Sequence, residues 1–150
     1  MHKGTFDVYS NGEEMSELAA PDKLKEFLQR EKEAADKKKN YEKWRREEWP
    51  NVQTEWLEAL EALNSSIEEY LAEEIKDNSI EIKRQEVTIS SDPSAYKAPS
   101  LLIITPSGRK IDIEPIGRMV IGANGSVIIK CQSKHFHLYR EDIDLWKMKI

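Results

Sequence analysis

Apolar residues fall into two rhythms along this chain, and the change comes near residue 78. From Asn51 to Asp77, Val52, Trp56, Leu60, Leu63, Ile67 and Tyr70 recur at steps of three and four, and the opposite side is almost entirely Glu. Leu57, Leu71 and Ile75 widen the row. That period marks an amphipathic helix whose stripe must be buried against something. Pro21-Asp22 opens a second long helix running to about Trp49, since proline is tolerated in a first turn. Its stripe of Leu24, Phe27, Leu28, Ala34, Ala35, Tyr41 and Trp44 is thin, because Glu31, Lys38 and Arg45 interrupt the seam. Upstream, Thr5 to Ser10 reads as a short extended piece, Ser10-Asn11-Gly12 as a turn, and Glu13 to Ala20 as a short helix.

Beyond Asn78 the period drops to two. Ile80, Ile82, Val87 and Ile89 alternate with polar residues, as on a strand with one wet face. Ser90 to Ser100, with Pro93 and Pro99, reads as an irregular loop. Strands are expected at Leu101–Thr105, Arg109–Ile116, Arg118–Ile121, Ser126–Cys131, His135–Tyr139 and Leu145–Ile150. The connections are short, so neighbours should pair antiparallel. Asn124-Gly125 accepts the positive φ of a tight hairpin. Glycine usage agrees with the division: none occurs between Gly12 and Gly108, and four follow.

The fold class expected is therefore α+β. An N-terminal antiparallel helical hairpin occupies residues 1–78, and an antiparallel β-meander of about six or seven strands, curled into a partial barrel or covered on one face, occupies 79–150. Pro50 breaks the helical stretch. The alternative is a kink in one very long helix, and charge favours the hairpin. Residues 22–48 hold 10 basic and 8 acidic groups, whereas residues 55–77 hold Lys76 against eight acids. The helix at 51–77 is then the central layer, with the preceding helix on one flank and the sheet on the other.

Charge also limits function. The net -5 divides into -8 over residues 1–78 and +3 over residues 79–150. An acidic chain is a poor non-specific DNA binder, because phosphate binding needs clustered positive charge. The opening residues carry no apolar signal-peptide core, no window is apolar enough to span a membrane, and Cys131 has no disulfide partner. These features suit a cytoplasmic protein that binds no membrane.

Candidate chemistry is sparse. His135 and His137 lie two apart on an expected strand and so share a face, where they could hold a metal with Cys131, Asp112 or Glu114 as a further ligand. The competing reading is two histidines on a half-wet sheet face, with Cys131 a small buried hydrophobe. Asp112, Glu114, Glu141, Asp142 and Asp144 could pair as acid and base, but such acids are ordinary surface composition. Gly122-Ala123-Asn124-Gly125 lacks the Lys-Ser/Thr of a phosphate loop, and no serine elbow, CxxC, HExxH or Walker motif occurs. The basic run Lys37–Lys39, Lys43, Arg45 and Arg46, interleaved with Tyr41, Trp44 and Trp49, could stack on single-stranded nucleic acid, although Glu42, Glu47 and Glu48 dilute it.

Elimination favours a non-enzymatic interaction module that needs no cofactor. Its partner is another protein or a second copy, met through Leu24, Phe27, Tyr41, Trp44 and Trp49. Two alternatives stand beside it. One is a nucleic-acid binder using Arg109, Lys110, Arg118, Lys130 and Lys134. The other is a metal-dependent enzyme centred on His135 and His137.

Overall fold

The computed structural model describes residues 9, 10, 13, 14 and 20–149. Two short strands come first, β1 (Tyr9–Ser10) and β2 (Glu13–Glu14), paired antiparallel with each other. Glu13-Glu14 is thus extended where a helix was expected, and Thr5 to Val8 and Met15 to Ala19 lie outside the described residues. The glycine-free stretch of good helix formers gives α1 (Ala20–Glu47) and α2 (Trp49–Tyr70), followed by a short α3 (Ala72–Lys76). No helix among the described residues is long and apolar enough to cross a membrane.

The helices break at Glu48, whose carbonyl accepts the N–H groups of Asn51 and Val52 at 3.1 and 3.2 Å. Pro50 sits in the first turn of α2, where its missing N–H costs nothing. Of the expected hairpin, the structure shows the two helices and the break between them. The composition boundary at 78 marks where helix gives way to strand. The boundary of compactness lies earlier, between Glu47 and Glu48. Taken by itself, α1 is exposed from Pro21 to Glu47 apart from a half-buried Trp44.

From Glu48 onward the chain forms one helix-on-sheet unit. Six strands follow in sequence order: β3 (Glu81–Ile89), β4 (Tyr96–Ile104), β5 (Lys110–Gly117), β6 (Ser126–Cys131), β7 (Lys134–Asp142) and β8 (Leu145–Lys149). All neighbours pair antiparallel, and the sheet is open, with β3 and β8 as its edges. Antiparallel partners share a face. Arg84, Leu101, Ile113, Ile129 and Phe136 therefore form one cross-strand row, while Glu114, Ile128, His137 and Lys149 form a row on the other face.

The stripe of α2 is buried at Trp49, Trp56 and Leu60, and also at Asn64. Removing each of the large apolar side chains from water stabilises the unit by about 1.5–3 kcal/mol. Beneath lie Leu101, Ile113 and Val127, all buried. The acidic side of α2 meets sheet arginines: Arg84 bonds Glu68 and, at 2.6 Å, Glu61, and Arg140 bonds Glu55.

Two strand expectations are corrected. Pro99 lies inside β4, not in a loop: it pairs with Glu86 of β3, while β5 pairs only with Leu101–Ile104, so on that side no ladder hydrogen bond is lost at Pro99. Arg118 to Ile121 is a turn with one isolated bridge, Val120 to Ala123, since Asp92 captures the backbone N–H groups of Arg118 and Met119 at 2.9 Å each.

Candidate functional site

Apart from Trp44, the residues singled out in α1 fall on a heptad seam. Leu24, Glu31, Lys38 and Arg45 are seven apart, and Phe27, Ala34 and Tyr41 form the companion row, with Leu28 and Ala35 beside it. Leu24, Phe27, Leu28 and Tyr41 are each about half exposed, an unusual state for four large apolar side chains on one helix. Tyr41 lies tilted against Trp44 with ring centres 6.0 Å apart. Neighbouring charges on α1 pair locally, as in Lys23–Glu26 and Arg30–Glu26 at 3.6 Å, but neither Glu31 nor Lys38 has an ion pair among the described residues.

Trp49 does not belong to that surface. It is 2% exposed, its Nε1 donates to Ser94 Oγ at 2.8 Å, and its ring lies 6.0 Å from that of Tyr96. As the first residue of α2 it anchors the β3–β4 loop to the helix, so no partner can reach it.

On the sheet, register separates the suspected metal ligands. His135 pairs with Lys130 and is exposed; His137 pairs with Ile128 and is half-buried; Cys131 pairs with Lys134. Alternation puts the two histidines on one face and Cys131 on the other. Glu114, the nearest acid in the row of His137, goes to Lys130 at 3.2 Å. His137 stacks on Tyr139 at 5.9 Å, and its buried Nδ1 has no hydrogen-bond partner among the described residues. No group of three or more His, Cys, Asp or Glu side chains among the described residues could hold a metal ion.

The five basic residues singled out in the sheet half do not act together. Lys130 is committed to Glu114, and Arg118 lies at the opposite end of β5, its buried Nε without a hydrogen-bond partner among the described residues. Arg109, Lys110 and Lys134 lie near one another, although alternation along β5 turns Lys110 to the face opposite Lys134. The tips of the β4–β5 and β6–β7 hairpins stand side by side, and these three cations line the hollow between them, of about 320 Å³.

Two polar clusters escaped the sequence reading. Arg140 is 1% exposed, bonds both oxygens of Glu55, and donates to the carbonyls of Ile143 at 3.0 Å and Asn124 at 3.4 Å. Its guanidinium also lies 6.0 Å from the ring centre of Trp56, so one buried cation ties α2 to two sheet turns. The second cluster is Asp92, which accepts the Tyr96 hydroxyl besides the two amides of the 118–119 turn. Burial, then the hydrogen bond to Asp92 and its negative charge, push the Tyr96 phenol well above its usual range; Trp56 and Arg118 oppose this without cancelling it. Both are fully committed to internal partners and read as struts. The hint for Arg140 was its place in an alternating strand, two residues after Leu138 on the same face.

No protein-family model matches this chain, and neither a curated protein nor a solved structure is similar to it.

Proposed function

We propose that this protein is a non-enzymatic association module that pairs with a second copy of itself through an antiparallel α1–α1 contact. The observation carrying this reading is the unsatisfied seam: four half-exposed apolar side chains interrupted by Glu31 and Lys38. A parallel pair would set Glu31 on Glu31 and Lys38 on Lys38. An antiparallel pair centred between Ala34 and Ala35 sets Glu31 against Lys38 of the second copy, twice by symmetry. It also sets Leu28 against Tyr41, and the two alanines allow close approach at the centre. Charge thus selects the orientation, at about 0.2–1 kcal/mol per exposed pair, while apolar burial supplies the affinity.

That affinity is modest. Four partly exposed side chains per helix must offset the loss of free tumbling, which leaves a dissociation constant on the order of tens of micromolar or weaker. Sedimentation equilibrium over a concentration series tests it. Lys38→Glu should shift the protein toward monomer by about tenfold in dissociation constant, and adding Glu31→Lys should restore the dimer. A parent chain that stays monomeric throughout, or a double variant no better than the single one, would sink the proposal.

A further inference from the structure

The hollow between the two hairpin tips is lined by Thr105, Arg109, Lys110, Cys131, Ser133 and Lys134, with Ile111 and Gln132 completing the wall. We infer that it is a binding site for a small phosphate monoester, a group with two negative charges and a compact organic body. Three features of the lining carry this.

The first is charge. Of the described residues that line it, Arg109, Lys110 and Lys134 are cations and none is a carboxylate; alternation turns the Lys110 side chain to the sheet face opposite Lys134, so Arg109 and Lys134 are the pair that meets a ligand, and neither has an ion pair among the described residues. Like charges brought together without counter-charge repel one another. An anion entering the hollow relieves that repulsion and gains charge-assisted hydrogen bonds as well. A phosphate monoester carries about -1.5 to -2 charges at neutral pH and three acceptor oxygens, which suits this donor set better than a carboxylate does.

The second is preorganisation. The Thr105 hydroxyl accepts the backbone N–H of Arg109 at 3.1 Å, and the Thr105 N–H donates to the Arg109 carbonyl at 2.9 Å. The turn carrying Arg109 is therefore pinned by its own lining residue, so little backbone freedom is lost on binding. On the other wall, Gln132 and Ser133 form a two-residue turn between Cys131 and Lys134, which pair with each other in the β6–β7 ladder.

The third is size and mixed polarity. About 320 Å³ lies at the lower end of small-molecule sites, larger than a bare phosphate requires. Ile111 and the Cys131 thiol, paired across β5 and β6, give the hollow an apolar floor that an inorganic ion would leave uncovered. This site is independent of α1, so it can fail or stand separately from the self-association.

The test uses the full chain and phenyl phosphate, inorganic phosphate, benzoate and phenol as probes, followed by backbone amide shifts in two-dimensional NMR. Phenyl phosphate should give saturable shifts confined to residues 105–111 and 131–134, tighter than inorganic phosphate or benzoate, with none from phenol. It should also slow alkylation of Cys131. Arg109→Gln and Lys134→Gln should each weaken binding by about tenfold, the effect of one charge-assisted hydrogen bond. Lys25→Gln, which removes the same charge from α1, should leave it unchanged. The inference is overturned by shifts that fail to saturate at about 10 mM, an affinity weaker than is useful for recognition. It is also overturned by equal binding of benzoate, or by an equal loss in Lys25→Gln. If a single-stranded oligonucleotide saturates these amides and phenyl phosphate does not, the site follows a polymer backbone and the small-molecule assignment falls.

Discussion

Arg140 and Glu55 show how differently two partners of one ion pair depend on each other. Arg140 is 1% exposed whereas the Glu55 side chain is 44% exposed, so only the arginine has given up its water. Removing Glu55 strands a buried cation; removing Arg140 leaves a carboxylate that solvent can reach. Glu55→Ala should therefore cost about 3 kcal/mol or more, and Arg140→Met distinctly less, because a methionine fills the space beside Trp56 without bringing charge. Urea unfolding of both variants gives the order, and the reverse order would refute this account. Trp56 adds a second constraint at the same place. Gly125 has φ +133° and lies so close that a Cβ there would overlap the indole ring. Asn124-Gly125 was legible as a turn from its residue types alone. That the glycine also clears space for a tryptophan about seventy positions earlier was not legible, because nothing local records a contact across the chain. For Arg140 the local hint, alternation with Leu138, was outweighed by Tyr-Arg-Glu-Asp surroundings that resemble an exposed turn.

At the level of elements, periodicity located what periodicity can. The α2 stripe, the alternation in β3 and the antiparallel order all follow from spacing and short connections. What escaped were positions where a side chain or a single missing hydrogen bond decides. Helix α2 stops at Tyr70 and restarts at Ala72, although apolar spacing runs on to Ile75. The α3 end closes where Asn78 adopts φ +62°, with Asn78 and Ser79 donating back to Ile75 and Glu74. Asparagine suits that conformation. Gln132, at φ +55° in the β6–β7 turn, does not, because its Cβ crowds the following carbonyl. Gln132→Gly should relieve this at little structural cost. It should raise stability by about 0.5–1 kcal/mol once the added freedom of the unfolded chain is subtracted. A denaturation midpoint that falls would mean that the glutamine side chain makes a contribution larger than the strain.

Across the whole molecule, composition and compactness divide the chain at different places, and the difference is informative. Composition records which secondary structure a stretch prefers, hence the boundary at 78. Compactness records where buried surface lies, and every buried apolar side chain among the described residues except Ala20 belongs to the portion from Glu48 onward. Helix α2 is acidic and helical like α1, yet it belongs energetically with the sheet, through Trp56, Leu60 and its glutamates on Arg84 and Arg140. A chain of residues 48–150 should therefore fold without α1. Its melting temperature should lie within about 4 °C of the full-length value, a change that corresponds to roughly 1 kcal/mol at this size. If α1 is the self-associating element, the shortened chain should also sediment as a monomer at concentrations where the full chain does not. The two readouts separate two roles. A large drop in melting temperature would make α1 part of the stabilising core, whereas unchanged stability with loss of the dimer would leave association as its contribution. Residues 21–47 are exposed along nearly their whole length while the burial that holds the fold together lies elsewhere. An apolar seam left in solvent contributes little to stability in a single copy, so the expected outcome is the second.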